Sequence, residues 1–115
     1  MNLSLDDLFE KAYQKRQLLY AFFEITYNCN FNCKFCYNPV FRKGQEGIKK
    51  NLVKENPLTI SEYSEIFEKL KKGGVLFLTL SGGEPLVHPQ FFDILKEAKK
   101  NAFCVRIFSN GSLID

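Results

Sequence analysis

Three nearly unbroken apolar runs divide the chain: Leu18 to Thr26 (LLYAFFEIT), Val75 to Leu80 (VLFLTL) and Phe103 to Phe108 (FCVRIF). Runs of this length, rich in aromatic and β-branched residues, predict strands of a sheet buried on both faces. Between them the apolar spacing changes to that of helices. Ile60, Tyr63, Ile66, Phe67 and Leu70 form one stripe. Thr59 and Glu62 are placed as a capping box, with Leu58 and Tyr63 as a hydrophobic staple around it. Lys69, Lys71 and Lys72 suit the negative end of that helix, and Gly73-Gly74 stops it. A further helix carries Phe91, Phe92, Leu95 and Ala98, with Pro89 in its first turn and Asn101 near its end. Upstream, Leu5, Leu8, Phe9 and Ala12 predict a short amphipathic helix over residues 5–17 with Ser4 as its cap.

The predicted order is a helix followed by β-α-β-α-β, which gives an α/β fold with parallel strands. Residues 1–18 read as an N-terminal helical extension and 19–115 as the core domain. Ligands of parallel sheets sit at the carboxyl ends of the strands. Three polar segments stand at those ends: the cysteine-rich stretch after the first strand, Ser81-Gly82-Gly83-Glu84-Pro85, and Ser109-Asn110-Gly111-Ser112.

A composition of 45% hydrophobic and 15% aromatic residues is that of a globular chain, and a net charge of +3 gives no reason to expect nucleic acid. No segment approaches the roughly 18 apolar residues that span a bilayer, and the N-terminus lacks the basic flank of a secretory signal. The expected location is the cytoplasm, where clustered cysteines favour metal binding or catalysis over disulfides.

Cys29, Cys33 and Cys36 form a C-x3-C-x2-C run. Three thiolates on one short loop can hold three irons of a cubane cluster and leave the fourth without a protein ligand. A closed zinc site needs a fourth donor. Cys104 lies about 15 Å below the carboxyl end of its strand at ~3.3 Å per residue and reads as a core thiol. His88 reads as a residue at the start of a helix rather than a ligand. The basic connection between Tyr37 and Pro57 reads as a solvated loop.

The cysteine spacing, with Phe35 before the last thiol, resembles the signature of the radical S-adenosylmethionine (radical SAM) superfamily. Gly82-Gly83-Glu84-Pro85 resembles that family's second motif, and Ser109-Asn110-Gly111 its next cofactor-contacting segment. The resemblance implies a TIM-like partial barrel, of which this chain supplies the first three β/α units and stops where a third crossover helix should start. The expectation is therefore the N-terminal part of a core truncated at its C-terminal side. The resemblance further implies a [4Fe–4S] cluster on Cys29, Cys33 and Cys36, and S-adenosylmethionine held by Phe35, Tyr37, Gly82, Gly83, Glu84, Ser109 and Asn110. It implies reductive cleavage to a 5′-deoxyadenosyl radical that abstracts hydrogen from a substrate, with no side chain assigned as catalytic. The Cys-Tyr-Asn-Pro ending of the loop looks most like the SPASM-type branch that modifies peptides and proteins. Implied partners are a reductase such as flavodoxin or ferredoxin and the remainder of the core. A non-catalytic iron–sulfur or zinc-binding module, or an inactive remnant, stays open as the alternative, as does the activity of so short a chain by itself.

Overall fold

The computed structural model of the chain describes residues 4–31, 33, 36 and 57–115. Helix α1 spans Leu5–Gln14, strand β1 Tyr20–Thr26, helix α2 Ile60–Lys72, strand β2 Phe77–Gly82, helix α3 Phe91–Lys100 and strand β3 Cys104–Ile107. A single 3-10 turn, Pro85–Val87, precedes α3. The strands form one parallel sheet in the order β1-β2-β3. The α/β reading holds: the described residues make an open sheet with helices between its strands, as in a partial β/α fold.

Local chemistry accounts for where the helices begin and end. Ser4 accepts the Asp7 N–H while Asp7 reaches back to the Ser4 N–H, closing a capping box on α1. Thr59 and Glu62 do the same on α2, as the sequence predicts. Gly73 caps α2, and Gly74 follows at φ +101°, a left-handed conformation that costs glycine little. The α1 helix stops at Gln14, short of the predicted residue 17, because Arg16 turns to φ 52°.

The core lies between α2, α3 and one face of the sheet. Phe67 and Ile94 are fully buried there with Leu78 and Leu80 of the central strand. Phe67 stands edge-on to both Phe23 and Phe103. On α3 the buried positions are Phe91, Ile94 and Ala98, whereas Phe92 is 71% exposed, so the core stripe runs through Ile94 rather than Phe92.

The opposite face explains two departures from the sequence reading. Only the central strand β2 is buried on both sides. Tyr20 and Phe22 of β1 remain exposed because α2 and α3 pack on the side of Phe23 and Ile25. Phe9 of α1 stacks on Phe77 at the start of this second face, and Phe77 stacks in turn on Tyr20. Arg106 donates to the Tyr20 hydroxyl at 3.3 Å, and that hydroxyl pairs with Thr79 at 2.6 Å. Cys104 shares the side of Arg106, two residues on, and is exposed; it is not a core thiol. Its neighbour across the ladder is Phe77, the first residue of β2, which keeps it at the end of the sheet remote from the loops that follow the strands.

His88 stands where the sequence puts it, just before α3. It is buried, and its Nδ1 accepts the Gln90 N–H at 3.0 Å. Burial holds its pKa below the ordinary imidazole value. The unfolded chain therefore takes up the proton more readily than the folded one. Stability is full above the unfolded value of about 6.5 and declines as pH falls through and below it. Thermal melts between pH 8 and 5.5 should show this decline. His88→Asn, whose side-chain carbonyl accepts the same N–H without titrating, should flatten that part of the profile.

Candidate functional site

The three strand-end segments meet at one rim. Hydrogen bonding along the ladder continues past the strands: Gly83 N–H donates to Thr26 O and Glu84 N–H to Asn28 O, both at 2.8 Å. The loop after β2 is thereby fixed to the residues that lead into the cysteine stretch. Phe108 N–H donates to Leu80 O at 3.0 Å, joining the loop after β3 to β2.

Gly82 is required at this junction. The register shifts between Glu24 and Thr26, so Thr26 comes to lie opposite Gly82, which adopts φ +139°. A Cβ there would fall 2.1 Å from the Thr26 carbonyl oxygen. The backbones approach too closely for any side chain.

Glu84 is 1% exposed and its carboxylate is occupied by the chain's own donors. Oε1 accepts the Leu86 N–H at 3.2 Å and the Ser109 hydroxyl at 2.8 Å. Oε2 accepts the Asn110 N–H at 2.7 Å. A buried carboxylate needs such partners. Ser109 Oγ also accepts the Gly111 N–H at 3.0 Å, which tightens the turn. Glu84, Ser109 and Asn110 are thus brought together, Gly82 and Gly83 beside them.

The cysteine stretch leaves β1 along the same rim. Cys29 and Cys36 are half-buried, Cys33 is exposed, and none is in a disulfide. Cys29 Sγ accepts the Phe31 N–H at 3.4 Å, and Cys36 N–H donates to Cys33 O at 3.4 Å. Among the described residues no three His, Cys, Asp or Glu side chains are clustered closely enough for a metal ion. The donor set fits a cluster, being three free thiols on one short loop, but the loop as it stands does not gather them. Metal sites commonly assemble only as the metal binds. Phe35 and Tyr37 lie outside the described residues.

Two residues given no role from the sequence belong to this rim: Asn30, and Ser112 at the end of the segment after the third strand. Asn30 Nδ2 donates to Ser112 Oγ at 2.8 Å, and Asn110 Nδ2 donates to Asn30 Oδ1 at 2.9 Å. Their signal was small: an amide between two cysteines, and a hydroxyl after Asn-Gly.

The model of the radical SAM superfamily matches residues 23–115, which include all three loops. The chain belongs to the radical SAM superfamily. It is 34% identical over 98 residues to the tungsten-containing aldehyde ferredoxin oxidoreductase cofactor-modifying protein of Pyrococcus furiosus, covering 83% of this chain and 24% of that protein. It is 31% identical over 91 residues to the S-adenosylmethionine-dependent nucleotide dehydratase of Selenomonas ruminantium, covering 78% of this chain and 29% of that one. The chain thus spans about a quarter of the length of the curated relatives it matches. No solved structure matches. Among the described residues no helix is long and apolar enough to cross a membrane. The superfamily pairs S-adenosylmethionine with a [4Fe–4S] cluster, and the matched region of this radical SAM chain carries the thiols and the rim together.

Two substitutions test how the rim is built. Glu84→Ala strands three donors and should cost about 2–4 kcal/mol in denaturant unfolding, with faster amide exchange at Leu86 and Asn110. Glu84→Gln, which keeps one acceptor oxygen, should fall between the two. Gly82→Ala should lower stability by at least about 2 kcal/mol, since the added methyl meets a backbone oxygen held in the sheet ladder.

Proposed function

We propose that this chain is the part of a radical SAM enzyme that holds the cluster and S-adenosylmethionine. The observation that carries the proposal is the meeting, on one rim, of a loop with three free thiols and two loops joined through the buried Glu84. Cys29, Cys33 and Cys36 are the residues that would ligate a [4Fe–4S] cluster as thiolates. When bound, the cluster supplies the electron that cleaves S-adenosylmethionine to methionine and a 5′-deoxyadenosyl radical, which abstracts hydrogen from a substrate.

The remaining work falls to the chain itself. Gly82 and Gly83 would present backbone rather than side chains to the methionine end of the cofactor, and Glu84 would counter the charge of its ammonium group. Ser109 and Asn110 would meet ribose or carboxylate oxygens, and Phe35 and Tyr37 would take the adenine. The relatives are named for a cofactor-modifying protein and for a nucleotide dehydratase. The substrate class we put forward here, a peptide or protein, rests on the Cys-Tyr-Asn-Pro ending of the loop. Electrons would come from a flavodoxin or ferredoxin, and strands beyond the three seen here would complete the substrate cavity.

The test is direct. Anaerobic protein supplied with iron, sulfide, dithionite and S-adenosylmethionine should carry four irons and four sulfides on average and release 5′-deoxyadenosine. Cys33→Ala should abolish both. Zinc bound without inorganic sulfide, or no cofactor cleavage by a chain with a full cluster, would overturn the proposal.

A further inference from the structure

Asn30, Ser112 and Asn110 close a ring in which each side chain donates to the next. Asn30 Nδ2 donates to Ser112 Oγ at 2.8 Å, Ser112 Oγ to Asn110 Oδ1 at 2.7 Å, and Asn110 Nδ2 to Asn30 Oδ1 at 2.9 Å. The direction is consistent all the way round; reversing Asn30 would set donor against donor, and reversing Asn110 would set acceptor against acceptor. The Ser112 N–H adds a bond to Asn110 Oδ1 at 3.0 Å. Rings of this kind polarise their members cooperatively.

The ring is exposed, so water could satisfy every group in it, and it guards no core. What distinguishes it is where it is tied. Asn110 is anchored through its N–H to the buried Glu84 carboxylate at 2.7 Å. Asn30 adjoins Cys29, and 80 residues separate it from Asn110 in sequence. The ring is therefore a side-chain link from the firm β2–β3 rim to the stretch that bears the thiols. The Asn28 carbonyl, held by the Glu84 N–H, fixes that stretch on the other side of Cys29.

We propose that Asn30 is a positioning residue, and that the ring couples the place of Cys29 to the order of the Ser109–Ser112 turn. Assembly of a cluster on the thiols and ordering of the cofactor-binding turn are then one event, each favouring the other equally. The coupling to a cluster rests on the function proposed above; the ring's hold on Cys29 does not.

Two measurements separate these. In the metal-free chain, iodoacetamide alkylation of Cys29 is followed by peptide mass spectrometry, with Cys104 at the far end of the sheet as internal reference. Ser112→Ala should speed Cys29 alkylation by about five- to tenfold, leaving Cys104 unchanged. Asn30→Asp, which still accepts from Asn110 and can accept from the Ser112 hydroxyl, should retain most of the protection, and it serves as the second variant should Ser112→Ala fail to fold. An unchanged Cys29 rate in Ser112→Ala, or equal acceleration at Cys104, overturns the positioning role. In protein reconstituted with ferrous iron and sulfide, loading should slow amide exchange at Ser112 about tenfold, and Asn30→Ala should reduce that slowing to within twofold. A wild-type chain that loads four irons without slowing Ser112 overturns the coupling alone. A chain that takes up no iron–sulfur cluster overturns the proposed function, and the coupling with it, while the alkylation result still decides the hold on Cys29.

Discussion

A carboxylate taken out of water must be surrounded by donors, and at Glu84 those donors come from its own turn and from the loop after β3. The rest of the rim follows from that requirement. The peptide N–H of the same residue holds the Asn28 carbonyl, so one amino acid joins the segments that follow all three strands. Hydrogen bonds to a charged group in a dry site are among the stronger ones a protein makes. The rim is thus held as a unit by the chain's own hydrogen bonds.

The sheet divides the labour between its two sides. Leu78, Leu80 and their neighbours face α2 and α3 and supply the apolar burial that holds the domain together. The other side carries Tyr20, Thr79 and Arg106 in a polar chain flanked by aromatic rings, with Phe22 edge-on to Phe108. Apolar burial is concentrated on one side of the sheet, and the polar loops of the candidate site gather at the strand ends. This is the general economy of parallel β/α proteins, in which loops can vary without disturbing the core.

Much of this was legible in the sequence, for reasons that can be named. Thr59 and Glu62 announce a helix start because their capping bonds are local and depend on nothing else in the fold. The parallel order follows from strands alternating with helices, and the meeting of the strand-end loops from that order. The motif residues gave the family because their spacing is specific. What the sequence concealed was set at a distance. LLYAFFEIT reads as doubly buried because apolar content cannot say which side the helices will take. Cys104 reads as core for its type, although Arg106 two positions later, on the same side by strand alternation, marks its true exposure. Likewise Asn30 and Ser112 acquire meaning only once chain folding has brought residues 82 positions apart into contact.

The irregularity between Glu24 and Thr26 reaches further than its size suggests. Side chains along β1 point alternately to the helices and away from them, and a bulge resets that count. Which side of the sheet the thiol-bearing stretch departs from is therefore decided by a single unpaired residue upstream. Strand length here works as a phase setting: one codon gained or lost before Thr26 would turn the cysteine-bearing stretch towards the other side of the sheet with every motif still intact.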